Sequence, residues 1–134
     1  MGSESDYVEI AENRVIGSSL NSNSTIHTQP PVNWGSSDII LNGRITGPAG
    51  FTKLGGQNAF MNGTNDFGGP LLVNGGTLVV SGPNAYSNST TVNISGTLRI
   101  INGNDRLPAT TQLSVNGGDA GASLFDMNNL NQTI

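Results

Sequence analysis

The chain has one histidine, nine acids and no cysteine among 134 residues, so few groups are present from which chemistry could be built. His27 sits in "STIHTQP", with no serine or acid pattern around it that would make a nucleophile, base and orienter. It reads as a surface histidine. One histidine without cysteine is also too few ligands for a histidine-centred zinc site. Calcium is the better-posed question, because β-rolls hold it through tandem G-G-x-G-x-D repeats. "NGGDAGASLFD" (Asn116–Asp126) has Gly117-Gly118 and two acids but no second tandem copy and no acid at the right offset. Asp66 in "NGTND" and Asp105 in "NGNDRL" stand alone, and a calcium ion needs oxygens converging from several groups. Turn chemistry accounts for these Asp and Asn residues without metal. No catalytic, cofactor-binding or metal-binding residue is therefore assigned, and no cofactor is expected.

What positions the residues is a repeat. Gly76-Thr77-Leu78 returns as Gly96-Thr97-Leu98, twenty positions on. "GTNDFGGPLLVN" (Gly63–Asn74) lies nineteen positions before "GPNAYSNSTTVN" (Gly82–Asn93), aligning Asn65 with Asn84, Phe67 with Tyr86, Val73 with Val92 and Asn74 with Asn93. A weaker copy places Val115-Asn116 twenty-three positions after Val92-Asn93, with "NDRLPAT" as the insertion. The best repeats span 63–101. Periods in this range mark stacked supersecondary units.

Gly, Asn, Ser and Thr make up nearly half of the chain, and the apolar runs ("DIIL", "LLV", "LVV", "TTV", "LRII", "LSV", "SLF") are short and bounded by Gly, Asn or Pro. That is a strand-and-turn signature with no sustained helical period. The chain reads as all-β. Residue-by-residue echo has a physical cause in a parallel β-solenoid, where each coil lies about 4.8 Å from the last and like side chains stack on like. Leu78/Leu98 and Val80/Ile100 are expected to point inward, with Val79 and Arg99 outward, since strand side chains alternate. Val73/Val92 should form a second inward column and Phe67/Tyr86 an aromatic stack, half buried at a corner. Asn74/Asn93 fit either an amide ladder or plain turn formation. At about twenty residues per coil, residues 4–134 make a single domain of roughly six or seven coils, a rod about 30 Å tall. Met1-Gly2-Ser3 reads as an expression scar, and "QPPVNWG" as a loop or corner, with Trp34 packed under Pro30-Pro31. Val8, Ile10, Val15 and Ile16 suit two short strands.

"ITGPAGFTKLGG" followed by "GTLVVSGPNAYSNSTTVNISGTL" resembles the passenger-associated transport repeat, also called the autotransporter-associated β-strand repeat. Ile45-Thr46-Gly47, Gly50-Phe51-Thr52-Lys53 and Gly55 match its first half, and Gly76 to Leu98 its second. The tail "GASLFDMNNLNQTI" is similar to a further phrase of the family, in which "NQTI" would be a strand with another coil to follow. The sequence departs from the pattern at "QNAFMNGTNDFGGP", which lacks the expected G-T-L-T-L, at Asn88 and at "NDRLPAT". The resemblance implies a right-handed parallel β-helix, a segment of a large exported bacterial surface protein. It also implies an extracellular location reached across the outer membrane, and a structural, non-enzymatic role. The partners would be neighbouring coils of the same passenger, with host or polysaccharide ligands as a further class.

Charge and composition bear on the rivals. The net charge is −4 and Arg14, Arg44, Lys53, Arg99 and Arg106 are scattered, so a nucleic-acid footprint is absent. Glu4, Asp6, Glu9 and Glu12 crowd the first twelve residues as a solvated end. No stretch is apolar enough to insert in a membrane. A β-helical polysaccharide hydrolase or lyase would need carboxylates converging from adjacent coils, yet Asp66 aligns with Ala85. A glycan- or host-binding adhesin surface is the other alternative, and Trp34 its one candidate sugar platform. Ice binding would need a regular Thr-x-Thr array, which Thr90-Thr91 and Thr110-Thr111 do not form.

Overall fold

A computed structural model describes residues 38–84, 89–119 and 121–134, with the backbone alone of three short strands nearer the start and of Ile94. The strands, in chain order, are β1 (Tyr7–Val8), β2 (Ser18–Ser19), β3 (Ser24–His27), β4 (Ile39–Leu41), β5 (Ile45–Thr46) and β6 (Phe51–Leu54). They continue with β7 (Asn58–Met61), β8 (Leu71–Val80), β9 (Thr90–Ile100), β10 (Leu113–Asn116) and β11 (Leu124–Asp126). No helix occurs among the described residues. Trp34, Pro30-Pro31, Ala85, Tyr86, Asn88 and the early acids lie outside them, as do Ile10, Val15 and Ile16.

Every strand pair is parallel, and the partners are a coil apart in sequence. On the first face β1, β3, β6, the first half of β8, the first half of β9 and β10 follow one another. On the second face the order is β4, β7, the second halves of β8 and β9, then β11. A third face begins with β2 beside β5 and continues through a parallel bridge from Asn65 to Asn84. The result is a β-solenoid of about four turns.

The register matches the echo in the sequence. Val73 pairs with Val92 and Val92 with Val115; Leu78 pairs with Leu98 and Val80 with Ile100. "NAFM", which departs from the repeat phrase, still forms β7 and pairs residue for residue with Thr77–Val80. A strand demands only alternation, and Ala59 and Met61 supply the inward positions, both fully buried. The core is these stacked columns: Ala59, Leu78 and Leu98; Met61, Val80 and Ile100; Val73 and Val92; Phe51 and Leu71. Burying each Val, Leu, Ile, Met or Phe of these columns contributes about 1.5–3 kcal/mol. Phe67 is fully buried rather than half buried, and its ring lies 6.2 Å from that of Phe51, tilted by 39°.

β8 and β9 each run through two faces, and in β8 the bend falls at glycine. Gly76 has φ +63°, and a Cβ there would lie 2.4 Å from Gly55 O and 2.5 Å from Gln57 O. The corner is tight because one coil's backbone rests directly on the next. Between Asn74 and Gly76 one residue makes the bend; between Asn93 and Gly96 two do, with Ser95 at φ +62°.

"NQTI" differs from expectation. It forms no strand. Instead Gln132 brackets Leu107, its Oε1 accepting from Leu107 N and its Nε2 donating to Leu107 O, both at 2.9 Å. Thr133 N donates to Asp105 Oδ1 at 2.6 Å and Asp105 N to Asn131 O at 2.9 Å. Side-chain bonds replace a ladder because the Arg106-Leu107-Pro108 stretch offers no regular strand to pair with.

Candidate functional site

Three constructions stand out, each from residues that recur at one position per coil. The first is a set of amide ladders. Asn93 Nδ2 donates to Asn74 Oδ1 at 3.2 Å, and Asn116 Nδ2 to Asn93 Oδ1 at 2.9 Å. The asparagines at this corner therefore form a ladder, each within its own strand, β8, β9 or β10. A second ladder, unforeseen in the sequence, runs from Ser81 Oγ to Asn62 Oδ1 (2.6 Å) and from Asn62 Nδ2 to Asn42 Oδ1 (2.9 Å). A third is internal: Asn65 Nδ2 donates to Asn84 Oδ1 at 2.9 Å, and Asn84 Nδ2 to Arg106 O at 2.9 Å. Asn65 is fully buried, and its Oδ1 accepts from Ile45 N at 2.8 Å. Buried amides are tolerated here because the neighbouring coils satisfy them.

The second construction is a caged lysine. Lys53 occupies the inward position that Val73 fills one coil on, and its side chain is wholly buried. Its ammonium donates to Leu54 O (3.1 Å), Gly55 O (2.7 Å) and Gly75 O (3.0 Å). Three donors meet three carbonyls at the corner between the first two faces. Burial nevertheless pushes the ammonium down to about 8. The sequence placed Lys53 only in a motif and among scattered charges; a charge aligned with Val73 and Val92 was the available sign that it turns inward.

The third construction lies on the outer surface of the second face. The outward residues of β7, β8, β9 and β11 form two columns: Asn58, Thr77, Thr97 and Leu124, and beside them Phe60, Val79, Arg99 and Asp126. Together with Ile101 they line a groove of about 440 Å³. Val79 points outward as alternation requires, yet is only 6 % exposed, so it forms the floor of a recess rather than a crest. Arg99 is solvent-exposed and closes the groove: its Nε donates to Asp126 Oδ2 at 2.7 Å, with Nη2 at the same distance. The Asn128 backbone N–H and then Arg99 hold the Asp126 carboxyl below the usual range.

The acids singled out in the sequence have partners of their own. Asp66 pairs with Arg44 across one coil, and that guanidinium holds its carboxyl down. Asp105 receives Thr133 N, and Asp119 is exposed beside the Gly118–Gly121 bridge. His27 lies in β3 opposite Leu54 of β6. Among the described residues no three of His, Cys, Asp and Glu gather in one place. Comparison with family models, with characterised proteins and with solved structures gives no match.

Proposed function

We propose that the chain is a non-catalytic structural segment of an autotransporter-type or giant cell-surface passenger. In this reading it is a right-handed β-helix of six or seven coils that acts as a surface spacer and helps its parent fold during export. The observation that supports it most is the in-register stack from Phe51 through Leu71 and Thr90 to Leu113, one residue per coil. Each coil offers a complete strand edge to the next, so folding can propagate without long loop closure. On the far side of an outer membrane, that propagation would draw the chain outward. Right-handedness follows the strong preference of parallel crossover connections. The coil number is supported by the first face, where six strands, β1, β3, β6, β8, β9 and β10, stack in succession. The link to exported passengers rests on the "ITGPAGFTK" and "GTLVVSGPNAYSNSTTVNISGTL" phrases alone.

The test is display. The chain would be placed between a secretion signal and an outer-membrane translocation barrel, and surface exposure measured by antibody and protease. The expected result is a surface-exposed, protease-resistant rod. Replacing Leu78 and Leu98 by Asp should leave the chain stalled or degraded. Equal display of the Asp variant would contradict the folding role.

A further inference from the structure

We propose that the groove on the second face binds an extended, uncharged, β-linked saccharide chain. This activity is added to the scaffold role and does not depend on it. The proposal starts from periodicity. Asn58, Thr77 and Thr97 are Cα partners on successive coils, so a hydrogen-bonding amide or hydroxyl recurs about every 4.8 Å along the rod. Beside this rail, Phe60 and Val79 repeat at the same spacing as an apolar floor, and Ile101 lies on the far side. A pyranose has an apolar C–H face and a rim of hydroxyls. Its face fits the floor while its rim meets the rail. An extended β-linked chain advances by close to one coil per sugar with alternate units turned over, so each unit lays one of its two C–H faces on the floor and one hydroxyl edge along the rail.

Charge selects the same class of ligand. The groove lining holds one cation and one carboxylate, Arg99 and Asp126, which neutralise each other at one end; at the other end the Asn58 side-chain amide also donates to the neighbouring Asp38 carboxylate at 3.4 Å. A charged polymer would have to break that pair or lie on Phe60 and Val79 without a counter-charge. An extended peptide advances about 3.4 Å per residue and falls out of step with the coils. The recess is also of ligand-site size, since such clefts run from about 300 to 1,000 Å³.

The test is an NMR titration of the intact chain with cellohexaose, with maltohexaose as the α-linked control and a Ser/Thr-rich decapeptide as the alternative occupant. Saturable shifts confined to Asn58–Phe60, Thr77–Val79 and Thr97–Arg99 are expected with cellohexaose, at high-micromolar to millimolar concentration. Maltohexaose should bind at least about tenfold more weakly. Replacing both threonines (T77V/T97V) removes the hydroxyls at constant shape and should weaken binding about tenfold, whereas T91V on the first face should not. Should the double variant unfold, Phe60→Leu keeps the bulk, loses the ring and should weaken binding as well. Absence of saturable shifts, equal binding of the two hexaoses, tighter binding of the peptide, or indifference to these substitutions would each overturn the proposal.

Discussion

Asn65 and Asn84, nineteen residues apart, form a buried amide pair: Asn65 Nδ2 donates to Asn84 Oδ1 at 2.9 Å inside the third face. The pair is held on both sides. Asn65 also takes Ile45 N and gives to Gly63 O, while Asn84 gives to Gly82 O and Arg106 O. Asn65→Ala would leave buried backbone and amide groups unmatched, and each such group costs about 1–3 kcal/mol. The urea midpoint should fall accordingly. Asn62→Ala, in the exposed ladder, should cost less than about 1 kcal/mol. Equal costs would mean that burial does not set the strength of these ladders.

Leu98 and Arg99 are neighbours on opposite sides of the same strand. Leu98 is fully buried between the Leu78 and Phe125 positions, so Leu98→Ala should cost about 2–5 kcal/mol. Arg99→Ala loses only an exposed ion pair with Asp126, worth about 0–1 kcal/mol. Thermal or urea unfolding of the two variants separates them, and reversed magnitudes would shift the face assignment by one residue.

Much of this was legible in advance, because a parallel stack gives equivalent positions the same surroundings. Leu78/Leu98, Val73/Val92 and Asn74/Asn93 echo in sequence since they share a column. Lys53 was not legible as a core residue: its long apolar stem lets a charged end reach backbone carbonyls from an inward position, which a binary pattern reads as polar. The groove was hidden for another reason. Phe60, Val79 and Arg99 occupy one outward column but have unlike side chains, so no echo marks them. "NQTI" was misread as a strand because its bonding partners on the preceding turn are bent and irregular around "NDRLPAT".

Lys53 makes stability depend on pH. Its ammonium is lowered from 10.5 to about 8 in the fold. Between those values the unfolded chain binds more protons at this group than the folded chain does, so its contribution to stability rises with pH across that window. The rise should be visible in urea midpoints of the native chain and absent from Lys53→Met. Parallel pH profiles for the two proteins would place the lysine in water.

Gly76 and Gly56 make a paired test of the corner. Gly76→Ala would put a methyl against Gly55 O, Gln57 O and Lys53 Nζ at positive φ, and should cost several kcal/mol. Nothing lies within 4 Å of a Cβ at Gly56, so Gly56→Ala should be neutral or stabilise by up to about 1 kcal/mol. Calorimetric melting of both variants decides the matter.

The in-register parallel stack underlies all of these outcomes, and paired cysteines test it most directly because the chain has none of its own. Thr77 and Thr97 are Cα partners on adjacent coils, about 4.8 Å apart, within the range of about 4.4–6.8 Å that a disulfide spans. Thr77 and residue 99 are two residues out of register, at a diagonal separation of about 7–8 Å. Under mild oxidation, T77C/T97C should close a disulfide rapidly with its fold retained, and T77C/R99C should remain largely reduced. Preferential closure of the out-of-register pair, or no difference between the two, would contradict the stack.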